Sequence, residues 1–368
     1  MQRRAFLKQT ALGAAAGSAV LAAPAIAQEA PNLTWRLASD FSADAATLFA
    51  GAADVSRYVA EVTEGRFNIE VFPAGQLFQP GQALEAVQHR IVECGHASSA
   101  RYFSTDPALC FDGGVPFGLN TRQMNAWMRK GEGLALTREA FAKFGILNFP
   151  CGYTGAQMGG WFRGEIKTLD DLRGLKVAAD GFAGHILSRL GATPVDIPAG
   201  DLHAALAQGL VDGAATIGPF DDERLALFEV ARNYYFPGWW AGTQQLSLYV
   251  NQDAYGELPK SYQTALSLAC AAASNEMIAT FDANNPDALR ELVSRGAQLK
   301  AYPRPVLQAA YEATVAACNE LSAKDATFKK LYDSMLAFRG KQVPWFRMAE
   351  GSFDNMVATL GAPGAQGH

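Results

Sequence analysis

The side chains that could do chemistry are few and scattered. The five histidines are His89, His96, His185, His203 and His368. His89 and His96 lie seven apart, but a helix-like and a strand-like stretch separate them, so they make no metal pair. The five cysteines, Cys94, Cys110, Cys151, Cys270 and Cys318, show no C-x-x-C spacing, which removes a zinc ribbon and a thioredoxin-like centre. Most sit in apolar stretches, where cysteine behaves as a small buried hydrophobe. They are expected to be mostly reduced and structural, and the sequence leaves one or two disulfides open. No G-x-x-x-x-G-K-[ST] phosphate loop, G-x-S-x-G elbow, H-E-x-x-H helix or S-x-x-K occurs. Gly131-x-Gly133 lacks a third glycine in place and follows no clear strand, so a dinucleotide loop is not indicated. A Ser-His-Asp set drawn from distant segments depends on geometry, not spacing, and stays open at this level. The expected reading is not an enzyme.

Composition narrows the class further. The chain has 368 residues, 49% hydrophobic and 18% charged, and a net charge of −5. That is a globular chain long enough for two cores. An acidic balance lacks the surplus Lys and Arg that a grip on nucleic acid needs. No internal apolar run is long enough for a membrane span. The N-terminus carries Gln2-Arg3-Arg4-Ala5-Phe6-Leu7-Lys8, an Ala/Gly/Leu/Val stretch and then Ala25-Ile26-Ala27. This reads as a charged n-region, a short apolar h-region and an A-x-A cleavage box, with paired arginines of the twin-arginine export type. A mature, more acidic chain starting at Gln28 in a bacterial periplasm is expected.

These residues need a scaffold, and the hydrophobic pattern supplies one. Strands are expected at Leu33–Ser39, Phe67–Phe72 and 91–99, with helices at 46–64 and 81–89 between them. Such alternation marks a parallel α/β sheet. The pattern restarts with strands at 145–150, 158–163, 175–178, 193–196 and 214–217 and helices at 184–190 and 201–208. A strand at 246–251 follows. Then come helices at 260–284, 286–295, 304–324 and 326–339, and a last helical stretch near 344–360. No flexible linker divides the halves, so the chain is expected to cross between two lobes more than once. A cleft between such lobes is a natural ligand site.

Several sequence blocks carry a resemblance. They are Trp35-Arg36-Leu37-Ala38-Ser39, Val71-Phe72-Pro73-Ala74-Gly75 and Val115-Pro116-Phe117-Gly118-Leu119-Asn120. The densest runs from Thr154 to Arg163 (TGAQMGGWFR). Others are Asp171-Leu172-Arg173-Gly174-Leu175-Lys176, Gly218-Pro219-Phe220-Asp221-Asp222 and Pro237-Gly238-Trp239-Trp240. In this order, behind an export signal, they resemble the solute-binding proteins of TRAP (tripartite ATP-independent periplasmic) transporters, and most closely the subgroup that binds 2-oxo acids. The resemblance implies an α/β fold of the periplasmic binding protein type, with crossing hinge strands, a long spanning helix and a helical C-terminal tail. It implies lobe I at 28–150 plus about 218–285, lobe II at 151–217 plus about 286–340, and a tail at 341–368. It also implies a small organic acid trapped in the cleft and passed to a membrane permease, and a homodimer through the C-terminal helices. A neutral or zwitterionic ligand, a ligand sensor for a signalling receptor and a chain without ligand are the alternatives.

The cleft is where the sequence departs from that family. Ala178 stands where the resemblance implies an Arg for the ligand carboxylate, a geometry that suits its planar fork. Ala215-Thr216 replaces a Glu-Trp pair that helps hold a cation, and Ala241 replaces a second Glu. Gln157 is kept. Three charged positions are lost together, so no bound metal and no cofactor are expected, since a cation site needs oxygen ligands and compensating negative charge. Two new charges are offered instead: Arg101 for the ligand carboxylate, and Asp180 for a donor or amine. The alternatives are a solvated loop residue for Arg101 and a helix N-cap for Asp180. Thr216, Phe182 and Trp240 complete the candidate ligand-binding set, the aromatics as cleft wall or as core.

Overall fold

β1 (Leu33–Ser39) alternates in its first half and is buried from Leu37 to Ser39, and β2 (Phe67–Phe72) alternates from Phe67 to Glu70. They pair in parallel with Leu37 opposite Val71. The helix Ala46–Val62 connects them and buries Leu48, Ala52, Val55 and Val59 at helical spacing. The structure is a computed structural model that describes residues 31–360. The export signal expected at 1–27 and the end of the tail, 361–368, lie outside the described residues. Further strands in chain order are β3 (Cys94–Ala97), β4 (Ile146–Tyr153), β5 (Trp161–Phe162), β6 (Lys176–Ala178), β7 (Thr193–Val195), β8 (Gly213–Ala214), β9 (Asn233–Phe236), β10 (Gln245–Asn251) and β11 (Gln298–Ala301).

They form two sheets. Lobe I carries the order β2-β1-β3-β10-β4, and lobe II the order β11-β9-β5-β8-β6-β7. β10 runs antiparallel to both β3 and β4. Pro150 lies in β4, an edge strand, where its missing N–H is tolerated, and the register shifts at the facing Leu246/Ser247 step. The chain leaves lobe I after β4, returns to it between β9 and β10, and crosses again along the helix Lys260–Ser294.

That helix was expected to break at Pro286. It is continuous for 35 residues with Pro286 inside. Its buried stripe explains why: Tyr262, Leu266, Ala269, Ala273, Met277, Phe281, Ala288 and Leu292 keep one face through the proline. Pro286 removes one main-chain donor, but burial on both sides holds the axis. Phe281 packs with Leu48, Leu246 and Met277 in lobe I. Leu292 packs with Trp161, Leu206, Val211 and Tyr234 in lobe II. The tail differs similarly, since the helix Ala326–Met348 runs through Pro344 before the helix Glu350–Leu360.

Two boundaries also move. Asn233–Phe236 falls within the segment expected in lobe I, yet β9 pairs with β5 and β11 in lobe II. Its aromatics decide this: Tyr234 stacks on Trp161 with centroids 3.9 Å apart, and Tyr235 lies 4.7 Å from the Tyr302 ring. The helix Ala326–Met348, expected partly in lobe II, packs on lobe I. Phe328 meets Phe111 at 4.9 Å, and Trp127 Nε1 donates to Ser334 Oγ at 3.3 Å. The strand expected at 158–163 shrinks to two residues: Gly159 and Gly160 keep backbone hydrogen bonds to Tyr235, but Gly160 leaves the extended range, which ends the regular strand. A Cβ on Gly160, at φ +81°, would lie 2.4 Å from the Ala214 carbonyl oxygen. All five cysteines are free and buried.

If one helix braces both lobes, truncation at either end should weaken the whole. Phe281→Ala and Leu292→Ala are each expected to cost about 2–5 kcal/mol in urea unfolding, within a single transition. A cost below about 1 kcal/mol for either, or two separate transitions, would contradict the brace.

Candidate ligand-binding cleft

Both lobes wall a cavity of about 140 Å³. That volume has room for roughly four or five water molecules at the density of the liquid, the size of a small metabolite. Ala100, Gly113 and Gly114 come from lobe I, and Asp180, Phe182 and Thr216 from lobe II. Gln157, Trp240 and Gln244 sit on the crossing segments. Gly114 has φ +113°, and a Cβ there would lie 2.6 Å from the Thr243 carbonyl oxygen. Only glycine allows the wall to come this near.

The polar wall is fixed from behind. Gln157 is buried, and its Nε2 donates to Gln244 Oε1 at 3.1 Å. Thr154 Oγ1 accepts from the Gln244 amide at 3.0 Å. Thr216 Oγ1 donates to Asp222 Oδ2 at 2.8 Å. The same oxygen accepts from Trp161 Nε1 at 2.9 Å and from Tyr234 OH at 2.6 Å. Asp222 thus ties the cavity wall to β5 and β9. Burial pushes its carboxyl up to about 7, against those three hydrogen bonds. Trp240 is 5% exposed, and its Nε1 has no partner among the described residues.

The lobes also touch each other directly. The turn Ser99–Ser104 of lobe I docks on the first turn of the cleft helix Gly181–Arg189 of lobe II. Phe103 stacks on Phe182 with centroids 4.7 Å apart and planes 9° from parallel. Arg101 lies outside the cavity lining. One of its terminal nitrogens is 3.1 Å from Asp180 Oδ2 and the other 3.6 Å from Asp196 Oδ2. Asp180 holds the N-cap position of the cleft helix but makes no capping hydrogen bond. Gly181, at φ +56°, passes so close that a Cβ would lie 2.1 Å from the Ala100 carbonyl oxygen.

Of the residues singled out from sequence, Gln157, Asp180, Phe182, Thr216 and Trp240 therefore share the cavity, while Arg101 bridges the lobes beside it. Gln244, Asp222 and Asp196 were not singled out. Asp222 was visible only as part of the block after Gly218, and Gln244 and Asp196 carried no signal. Ala215 and Ala241 present methyl groups to the cavity, and Ala178 packs in the lobe II core.

Calcium takes six to eight oxygens, carboxylates prominent among them. Asp180 is the single carboxylate of the cavity lining, and Arg101 engages it. No cluster of three or more His, Cys, Asp or Glu suited to a metal occurs among the described residues. The residues present do not fit a cation.

Two outcomes follow from this geometry. Gly181→Ala should hold the lobes apart, raising the radius of gyration in solution scattering with the fold intact; an unchanged radius would contradict the close approach. Asp222 keeps its proton in the folded chain up to about pH 7, whereas its ordinary value is 3.8. Between those values the folded state binds a proton that the unfolded state has lost, so stability falls as pH rises through that window and then levels. Asp222→Asn should flatten this fall in thermal unfolding curves; an identical slope in the variant would contradict it.

Comparison with known proteins places this architecture. Residues 38–325 match the family described as Bacterial extracellular solute-binding protein, family 7. A monocarboxylate 2-oxoacid-binding periplasmic protein of Nostoc is 43% identical over 329 residues, covering 89% of this chain and 90% of that protein. A TRAP transporter solute-binding protein from Bordetella bronchiseptica, a mixed-occupancy dimer with copurified calcium and picolinate, superposes with a TM-score of 0.87 at 41% identity. That match covers 90% of this chain and 98% of the other. A TRAP periplasmic protein from Pseudoalteromonas atlantica with bound sodium and pyruvate gives 0.85 at 31% identity, covering 88% and 99%. The fold is shared with these proteins, and the chain belongs to family 7 of the bacterial extracellular solute-binding proteins.

Proposed function

We propose that this chain is the periplasmic solute-binding component of a TRAP transporter, which captures a small organic acid between its lobes and delivers it unchanged to the membrane permease. The observation that carries this reading is the small cavity enclosed by residues of both lobes. A ligand touching both walls favours the shut arrangement over the open one. The relatives' monocarboxylate, picolinate and pyruvate ligands support an acid. Gln157, Thr216, Trp240, Phe182 and Asp180 form its surroundings, and no nucleophile and base face each other among them, which supports binding without turnover. The twin-arginine-type leader at 1–27 brings the chain to the periplasm. No helix among the described residues is long and apolar enough to cross a membrane.

The helix Glu350–Leu360 leaves Phe353, Met356 and Leu360 exposed, next to exposed Trp345 and Met348. Such a contiguous apolar face supports pairing of two copies through their C-terminal helices. One observation favours a second reading, a neutral or zwitterionic ligand: no Lys, Arg or His lines the cavity.

Thermal unfolding of the mature chain with short monocarboxylates tests the main reading. A ligand at about a hundred times its Kd adds about 2.7 kcal/mol, a clear rise in Tm. Gln157→Ala should weaken the responding acid about tenfold in calorimetry. No response to any acid, with a clear response to uncharged analogues, would replace the first reading by the second.

A further inference from the structure

Relatives at 41% and 31% identity bind calcium with picolinate and sodium with pyruvate, yet the cleft of this chain has neither the carboxylates for a cation nor a cationic side chain for an anion. An acid would then need neutral donors, and the cavity has them in one place. The cleft helix Gly181–Arg189 begins at the wall, with Phe182 and Ala183 both lining the cavity. Its first helical bond is from Gly184 to the Asp180 carbonyl, so the amides of Phe182 and Ala183 have no partner among the described residues. Free first-turn amides and the helix dipole together favour an anion.

Asp180 would ordinarily occupy these amides, because an N-cap Asp accepts from the second or third helical N–H. Here Arg101 holds its carboxylate at 3.1 Å, and no cap bond forms. Trp240 lines the same cavity; it is 5% exposed, and its indole Nε1 is buried with no partner among the described residues. A buried N–H without an acceptor costs free energy that a ligand oxygen would recover.

We propose that this cleft binds a monocarboxylate without any metal ion, on the Phe182 and Ala183 amides and the Trp240 indole. In this arrangement Arg101 is a positioning residue that keeps Asp180 off the helix end. The inference rests on the organic-acid reading above. Arg101→Ala lets Asp180 swing back and cap the helix, which places a negative charge where the acid must sit. Removing Asp180 as well reopens the amides.

The test is calorimetry on the mature chain with pyruvate, picolinate and other short monocarboxylates, each in EDTA and in calcium. The acid that binds should do so equally in both, and calcium alone should give no heat. Trp240→Phe and Arg101→Ala should each weaken it about tenfold or more, while Arg101→Ala/Asp180→Ala should recover most of the loss. Circular dichroism confirms that each variant is folded. A calcium-dependent gain of about tenfold, or a double variant as weak as Arg101→Ala, overturns the metal-free helix site and leaves the organic-acid reading standing. Failure of every acid in both conditions removes that reading and the site with it.

Discussion

The contact between the turn Ser99–Ser104 and the first turn of the cleft helix sets the geometry on which the rest depends. Three kinds of interaction meet there. Phe103 and Phe182 stack across the lobes. Arg101 reaches Asp180 and Asp196. Gly181 lets the Ala100 carbonyl come nearer than any side chain would permit. The ion pairs are partly exposed, with side-chain exposures of 29% for Arg101, 42% for Asp180 and 67% for Asp196. Pairs of that exposure are worth little alone, so the aromatic stack and the backbone approach supply the grip, and the charges supply orientation. Release of this contact opens the cavity, because the same two segments form opposite walls of it.

Behind the contact stands a rigid frame. The helix Lys260–Ser294 enters both cores, through Phe281 at one end and Leu292 at the other. The strand crossings from β4 to β5 and from β9 to β10 run beside the cavity and carry Gln157, Trp240 and Gln244 onto its wall. Asp222 links the crossing region to lobe II through Thr216, Trp161 and Tyr234. A wall so braced can change its lining without losing its shape. Alanines at 215 and 241 fit this pattern: Asp180 is the one charged side chain of the lining, while the buried network behind Thr216 stays nearly complete.

Much of the frame was legible in the sequence, where periodicity alone decides the element. β1 and β2 follow from alternation in Leu33–Ser39 and Phe67–Phe72. The spanning helix was visible as a stripe, and the error at Pro286 came from weighing one missing donor above the burial that continues on either side of it. β9 was hidden because Tyr234, Tyr235 and Phe236 form an unbroken aromatic run, with no alternation to read. β11 was hidden because Gln298–Ala301 is an edge strand with little buried surface. In the cleft, Gln157 and Trp240 came from blocks with a family resemblance, Thr216 from a position where the sequence departs from it and Phe182 from a segment expected to border the cleft, and the four share one cavity. Arg101 was assigned to a ligand, but its neighbours Asp180 and Asp196 lie far along the chain, and pairing of that kind is set by how the lobes dock, which no local pattern encodes.

The central claim is that a hinged trap holds one small acid, unchanged and without a metal. Mass spectrometry of the chain purified under native conditions, before and after denaturation, addresses it in a single measurement. The account predicts one small carboxylic acid per chain, released intact, with no stoichiometric calcium or sodium in the complex. A complex carrying a metal ion with its ligand, or a bound molecule converted to product on the protein, would contradict it.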